Sequence, residues 1–237
     1  MSGVVYVGKK VRGEPQPSVE NAIRVDVTSG SKKMINGIPA TTLSPMKLGP
    51  VRESKIFENF WQYSKVYPQL GHVIGYAGDT DEHNSKEYGE STEKWHKWRN
   101  AGFAKTVGVR TPPAVSELKR KFRAGEIPAW TPAFAELDGK RYSYLDARRG
   151  IYVPYYYAAI KDLPIIAELK KMVASGENIL IIDVDGPAIV TEMNITNVLA
   201  ALDNPDVPFG HGYIVAAAIS GDEKIIETLL NVCRNPS

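Results

Sequence analysis

Cysteine is almost missing from this chain: 237 residues hold one, Cys233. A single thiol excludes an internal disulfide framework and a cysteine-based zinc cluster. Long apolar runs are missing too. Ile179 to Ile182 and Ile214 to Ile219 are core-sized, well short of the roughly 20 residues of a membrane-spanning helix. The start, Met1-Ser2-Gly3-Val4-Val5, has neither the charged opening nor the long apolar stretch of a signal peptide. From these absences we expect a cytoplasmic chain with no membrane partner. No repeat and no low-complexity tract interrupts the sequence, which argues against solenoids and arrays. His72 and His83 lie among polar loop residues without ligating company, so neither a metal nor another cofactor is expected.

What is present is ordinary globular material, 43% hydrophobic and 24% charged, with a formal net charge of +2. The length suits one large domain. Basic residues are uneven, however. Lys94, Lys97, Arg99, Lys105, Arg110, Lys119, Arg120, Lys121 and Arg123 face little acid beyond Glu117, and this run is either a phosphate-facing surface or a solvated basic face.

Spacing predicts the elements. Residues 1 to 20 read as a loose arm or an edge strand. Ala22 to Val27 alternates as a half-buried strand, with Ile23, Val25 and Val27 on one face. Met46 to Leu48 and Val51 read as short extended pieces. A helix is expected over 54–67, capped by Ser54, with Ile56, Phe60, Tyr63 and Tyr67 as its buried stripe. Residues 71 to 90 read as a loop or lid and 91 to 100 as a short helix. Residues 108 to 140 mix basic residues with prolines. Asp146 to Ala159 is helical in spacing, with Pro154 at an end or a kink. A helix opens at Pro164 and closes at Gly176, and Asn178 to Asp183 is a buried strand. Helices follow over Asn194 to Leu202, from Gly210-His211-Gly212 through Ala218, and over Ile225 to Val232. The expectation is a helix-rich α+β single domain, 1–237, with a small sheet and with 71–142 as an inserted lid or basic subregion.

On the first helix, Glu58, Gln62 and Lys65 stand at i, i+4 and i+7, flanked by Trp61 and turned away from the apolar stripe. A carboxylate, an amide and an ammonium in line either make a solvated face or act together. In the second case Glu58 is an acid, a base or a stabiliser of positive charge, while Gln62 and Lys65 hold hydroxyls or a phosphate. The turn-rich stretch Leu43 to Pro50 precedes them as a suitable ligand loop.

These residues resemble the NADAR superfamily, in which a Ser-Asn-Phe-like loop leads into a helix of pattern Glu-His-x-x-Gln-x-x-Lys. Ser44-Pro45-Met46 stands at the loop. Glu58-Asn59-Phe60-Trp61-Gln62-Tyr63-Ser64-Lys65 matches the helix, with Asn59 where the family has His. Further on, Arg148 or Arg149, the helix from Pro164 to Gly176, the strand Ile179 to Asp183 and Asp185-Gly186 follow the family's order. Its Trp-Gly after the Asp is absent unless Phe209-Gly210 stands in. The resemblance covers Thr28 to about Lys65 and Asp146 to about Gly212. It implies a NADAR-like fold and cleavage of an N-glycosidic bond, with Glu58 and an Asp, either Asp183 or Asp185, at the sugar. Ser44, Asn59, Trp61, Gln62, Lys65, Arg149, Gly186 and His211 would bind substrate. An oxocarbenium-like state needs a carboxylate near the anomeric carbon, and no metal.

Other readings stay open. Asp183 and Asp185, at a strand's C-terminal end, are a structural turn, a sugar-binding pair or a phosphatase-like metal pair. His211, between two glycines at a helix start, is a diphosphate contact or a buried histidine. Tyr152, Tyr155, Tyr156 and Tyr157 pack in the core or stack on a base. Trp95, Trp98 and Arg99 form a base platform or pack as core. The expected partner is a ribosylated small molecule or ADP-ribosylated nucleic acid. A nucleic-acid or ADP-ribose binding protein without catalysis, motivated by the basic run with Trp95, Trp98 and Trp130, is the competing class; a base-exchange enzyme is a third.

Overall fold

The computed structural model describes residues 2–67, 93–126 and 134–234. In chain order its strands are β1 (Val5–Lys9), β2 (Ala22–Asp26), β3 (Met34–Ile35), β4 (Ile38–Pro39), β5 (Lys65–Val66), β6 (Phe134–Leu137), β7 (Lys140–Tyr142), β8 (Asn178–Asp183) and β9 (Thr191–Glu192). Its helices are α1 (Phe57–Tyr63), α2 (Glu93–Phe103), α3 (Pro113–Arg123), α4 (Tyr144–Ala147), α5 (Val153–Ile160), α6 (Pro164–Ala174), α7 (Ile195–Asp203), α8 (His211–Ile219) and α9 (Glu223–Arg234). The class is α+β, as expected. Two compact units share the chain: Met1–Leu48 with Arg148–Ser237, and Gly49–Ala147. The expected lid over 71–90 lies outside the described residues, as do His72, His83 and Trp130.

The first unit is built on a four-stranded sheet in the order β2-β8-β1-β9. β8 runs parallel to both β1 and β2, and β9 closes the far edge antiparallel. β8 is buried along almost its whole length, which is why its sequence is a continuous apolar run rather than an alternation. The first residues of the chain are therefore not a loose arm. β1 is an interior strand, fixed to β8 by five register pairs and by Val4 N–H donating to Asn178 Oδ1 at 2.8 Å. Helix α8 crosses β8 and β1 with every residue buried. The small side chains Ala216, Ala217 and Ala218 allow it to be the central helix, with α5, α6 and α9 packed around it.

Local signals act where expected. Pro164 sits in the first turn of α6, where its missing N–H costs nothing, and Gly176 takes a φ of 99° just past the end. Pro154 begins α5 directly after a widened π-type turn, Arg148–Tyr152. Asn194 caps α7 by accepting from Asn197 N–H at 2.9 Å.

In the second unit, α1 packs on α2, and β5, β6 and β7 form an antiparallel sheet. The expected helix over 54–67 is shorter than its apolar stripe suggests. Ser54 does not cap it; its hydroxyl donates to Ile56 O at 2.9 Å instead, and the helix starts at Phe57. Ser64 Oγ donates to Phe60 O at 2.7 Å, and Lys65–Val66 pair with β6. Strand pairing thus takes the residues that spacing alone assigns to the helix. Met46 to Leu48 are likewise a turn, with Lys47 N–H and Leu48 N–H donating to Ser44 O at 2.8 and 3.1 Å. The proline-rich stretch after residue 108 contains α3, which Pro113 opens.

Arg148 is a buried cation, 2% exposed, that closes the C-terminus of α7. Its guanidinium donates to Asn204 O at 2.9 Å and Val207 O at 2.7 Å, with longer contacts to Ala201 O and Leu202 O. A cation at a helix C-terminus satisfies orphan carbonyls and meets the dipole favourably. Arg148→Met keeps the length but strands those carbonyls. We expect a loss of about 2–4 kcal/mol, read as a lowered denaturant midpoint; an unchanged midpoint refutes the cap.

Candidate functional site

The polar face of α1 assembles. Gln62 Nε2 donates to Glu58 Oε1 at 2.9 Å, and Lys65 Nζ donates to Gln62 Oε1 at 3.1 Å. The amide orients between an acceptor and a donor, so its flip state is fixed. Lys65 comes from β5, not from the helix, yet it reaches the same line. Its ammonium lies 4.4 Å from the centroid of the Trp61 ring, within cation–π range. Glu58 is 9% exposed, while Trp61, Gln62 and Lys65 are half-buried. The result is a carboxylate screened from bulk water and polarised by a relayed ammonium.

Asn59 has a different task. It is fully buried, and its Nδ2 donates to Lys105 O at 3.2 Å and Val107 O at 3.0 Å, while Oδ1 accepts from Val109 N–H at 2.7 Å. The amide is spent on holding the 105–109 loop, so Asn59 is not a substrate contact. Trp95 is also removed from the ligand-facing set: it is 1% exposed and donates Nε1–H to Lys65 O at 3.1 Å, so it packs as core. Trp98 rests on Tyr63 at 4.6 Å between centroids.

The remaining predicted residues lie in the first unit. Ser44 is 2% exposed and its hydroxyl accepts from Met46 N–H at 3.3 Å, which makes it a turn residue rather than a ligand contact. Arg149 pairs with Asp203 Oδ1 at 2.7 Å. Asp183 ends β8 and is fully buried. Its Oδ2 accepts from Gly212 N–H at 3.0 Å, at the start of α8, and lies 3.1 Å from His211 Nδ1. His211 Nε2 lies 3.0 Å from Val27 O. A carbonyl only accepts, so Nε2 carries a hydrogen and donates to it. His211 is the buried histidine of the two readings. Gly210 and Gly212 are required here, since a Cβ on either would stand 2.2 Å from Asp183 Oδ2 or 2.7 Å from Asp183 Cβ.

β8 stops at Asp183, so Asp185 does not share its face. Asp185 is exposed in the following turn, and the two acids are not a paired metal site. Among the described residues no group of three or more His, Cys, Asp or Glu side chains is placed to hold a metal ion. A Cβ at Gly186 would meet Gly8 O at 2.4 Å, so that glycine serves close chain packing. Tyr156 is a core residue, with its hydroxyl donating to Leu43 O. The sequence missed the Asp183–His211 contact, although a histidine between two glycines at a helix start was its visible trace. No family model, curated protein or solved structure matches this chain.

Two predictions follow from these contacts. Asn59→Ala leaves two carbonyls and an N–H without partners, and we expect a stability loss of about 2–3 kcal/mol in chemical denaturation; no change would contradict the anchoring role. Burial, and secondarily the charge of Asp183, pushes the Tyr213 hydroxyl up to about 12. A raised pKa stabilises the protonated fold below the ordinary tyrosine value of about 10, and that contribution disappears as pH rises toward 12. In an alkaline titration by phenolate absorbance, Tyr213→Phe should remove a late step. Loss of an early step instead contradicts the burial.

Proposed function

We propose that this protein is an N-glycosidase hydrolysing an N-ribosyl bond in an ADP-ribosylated or ribosyl-phosphate compound, with a modified nucleobase as one such substrate. The observation that carries this reading is the Glu58–Gln62–Lys65 line beside Trp61. Cleaving an N-ribosyl bond builds positive charge at the anomeric carbon. A carboxylate held in partial burial stabilises that charge more strongly than one in water, because the local dielectric is low. Gln62 fixes the Glu58 oxygen, and Lys65 holds Gln62. Trp61 gives a flat apolar surface on which a sugar or base edge can rest.

In this reading Glu58 is the reacting carboxylate. Asp183, fully covered and committed to Gly212 and His211, supports the fold instead of touching the sugar. The competing reading, a nucleic-acid binder without catalysis, draws less support. On α3, Arg120 is paired with Glu117 at 2.7 Å and with Glu126 at 3.4 Å, and Lys121 with Glu126 at 3.9 Å. Those pairs offset two of the nine cations in the basic run that suggested it.

The test is a chromatographic assay of free base released from a panel of N-ribosyl compounds, including ADP-ribosylated bases and oligonucleotides. Wild type should release base. Glu58→Gln, which keeps size and hydrogen-bonding capacity, should fold normally and lose turnover by about 100-fold or more. Equal rates in a folded Glu58→Gln protein would remove Glu58 from the chemistry, and retention of ADP-ribosylated nucleic acid without any release would favour the binding class.

A further inference from the structure

The face of the sheet opposite α8 holds a second polar site. Register places Arg24 and Asp26 of β2 beside Leu180 and Ile182 of β8, while Val25 and Ile181 point to the other side with Asp183. On the Arg24 side lies a cleft of about 510 Å³ lined by Gln16, Arg24, Asp26, Lys32, Lys33 and Ile182 among others. That volume falls within the span typical of small-ligand sites.

Its charges do not balance. Asp26 is the acidic group in the lining, and it is engaged twice over: Oδ2 accepts from Lys10 Nζ at 2.5 Å and Oδ1 accepts from Thr28 N–H at 3.0 Å. The side chains of Arg24, Lys32 and Lys33 make no ion pair or hydrogen bond among the described residues. The cleft thus presents three uncompensated cations over a floor that includes Ala22 and Ile182.

A complementary ligand carries an anionic group for the cations and an apolar or planar face for the floor. We propose that the cleft binds a phosphorylated sugar or nucleotide. The phosphate is met by charge-assisted hydrogen bonds from Arg24, Lys32 and Lys33, and the sugar or base rests on the floor. The site shares no residue with the Glu58 face and does not depend on the N-glycosidase reading.

Calorimetric titration with AMP tests this, with adenosine, inorganic phosphate and a short single-stranded DNA as comparison probes. AMP should bind wild type, more weakly as salt rises, and adenosine should bind at least tenfold less tightly. The triple variant Arg24→Ala/Lys32→Ala/Lys33→Ala alters exposed side chains and should lose at least tenfold in AMP affinity. Inorganic phosphate, which has no face for the floor, should bind more weakly than AMP. Unaltered AMP affinity in the triple variant, no AMP binding to wild type, or binding of the DNA alone would each overturn the proposal. The measurement needs no turnover, so its failure is separate from that of Glu58→Gln.

Discussion

The parallel register of β8 between β1 and β2 is the constraint on which the first unit depends. Side chains alternate across a strand, so a slip of one residue would exchange the faces of the sheet. In the observed register Ile182 and Asp26 face one way, and Ile181, Val25 and Asp183 the other. Asp183 then meets the first turn of α8, where Gly212 N–H and His211 satisfy one oxygen of a fully buried carboxylate. After a slip, that charge would enter the cleft face, and α8 would lose the anion at its N-terminus. Burying a carboxylate is costly without such partners, so this contact specifies the register as well as tolerating it.

A second constraint governs the other unit. α1 ends at Tyr63 because Ser64 and β5 take the chain away, and that exit returns Lys65 to the line begun by Glu58 and Gln62. A longer helix would carry Lys65 one turn onward by helical geometry alone. Here the ammonium is held between the Gln62 amide and the Trp61 ring. Asn59, one residue from Glu58, ties the same helix to the 105–109 loop. The position of the carboxylate is therefore set by backbone anchors on both sides of it.

Much of this was legible from residue order. Continuous apolar character identified β8, Pro164 and Gly176 bounded α6, and the spacing of Glu58 and Gln62 foretold their contact; Lys65 joins them from β5 rather than by helical spacing. What escaped notice depends on partners distant in sequence. β1 resembles a loose arm because Gly3, Gly8 and the prolines beyond it dilute its pattern; its partner β8 begins at Asn178. The end of α1 is decided by β6, and the burial of Asn59 by a loop some fifty positions away. Arg24, Lys32, Lys33 and Gln16 are unremarkable polar residues until the fold gathers them around one cleft.

The central claim is that a screened carboxylate at Glu58 stabilises positive charge at a ribosyl carbon. The most direct measurement is a competitive isotope effect on base release, using N-ribosyl substrate with hydrogen or deuterium at the anomeric carbon. The account predicts release of base with the protium substrate consumed faster, as expected when that carbon becomes cationic and planar. Failure to release base, or equal consumption of the two substrates, would contradict it.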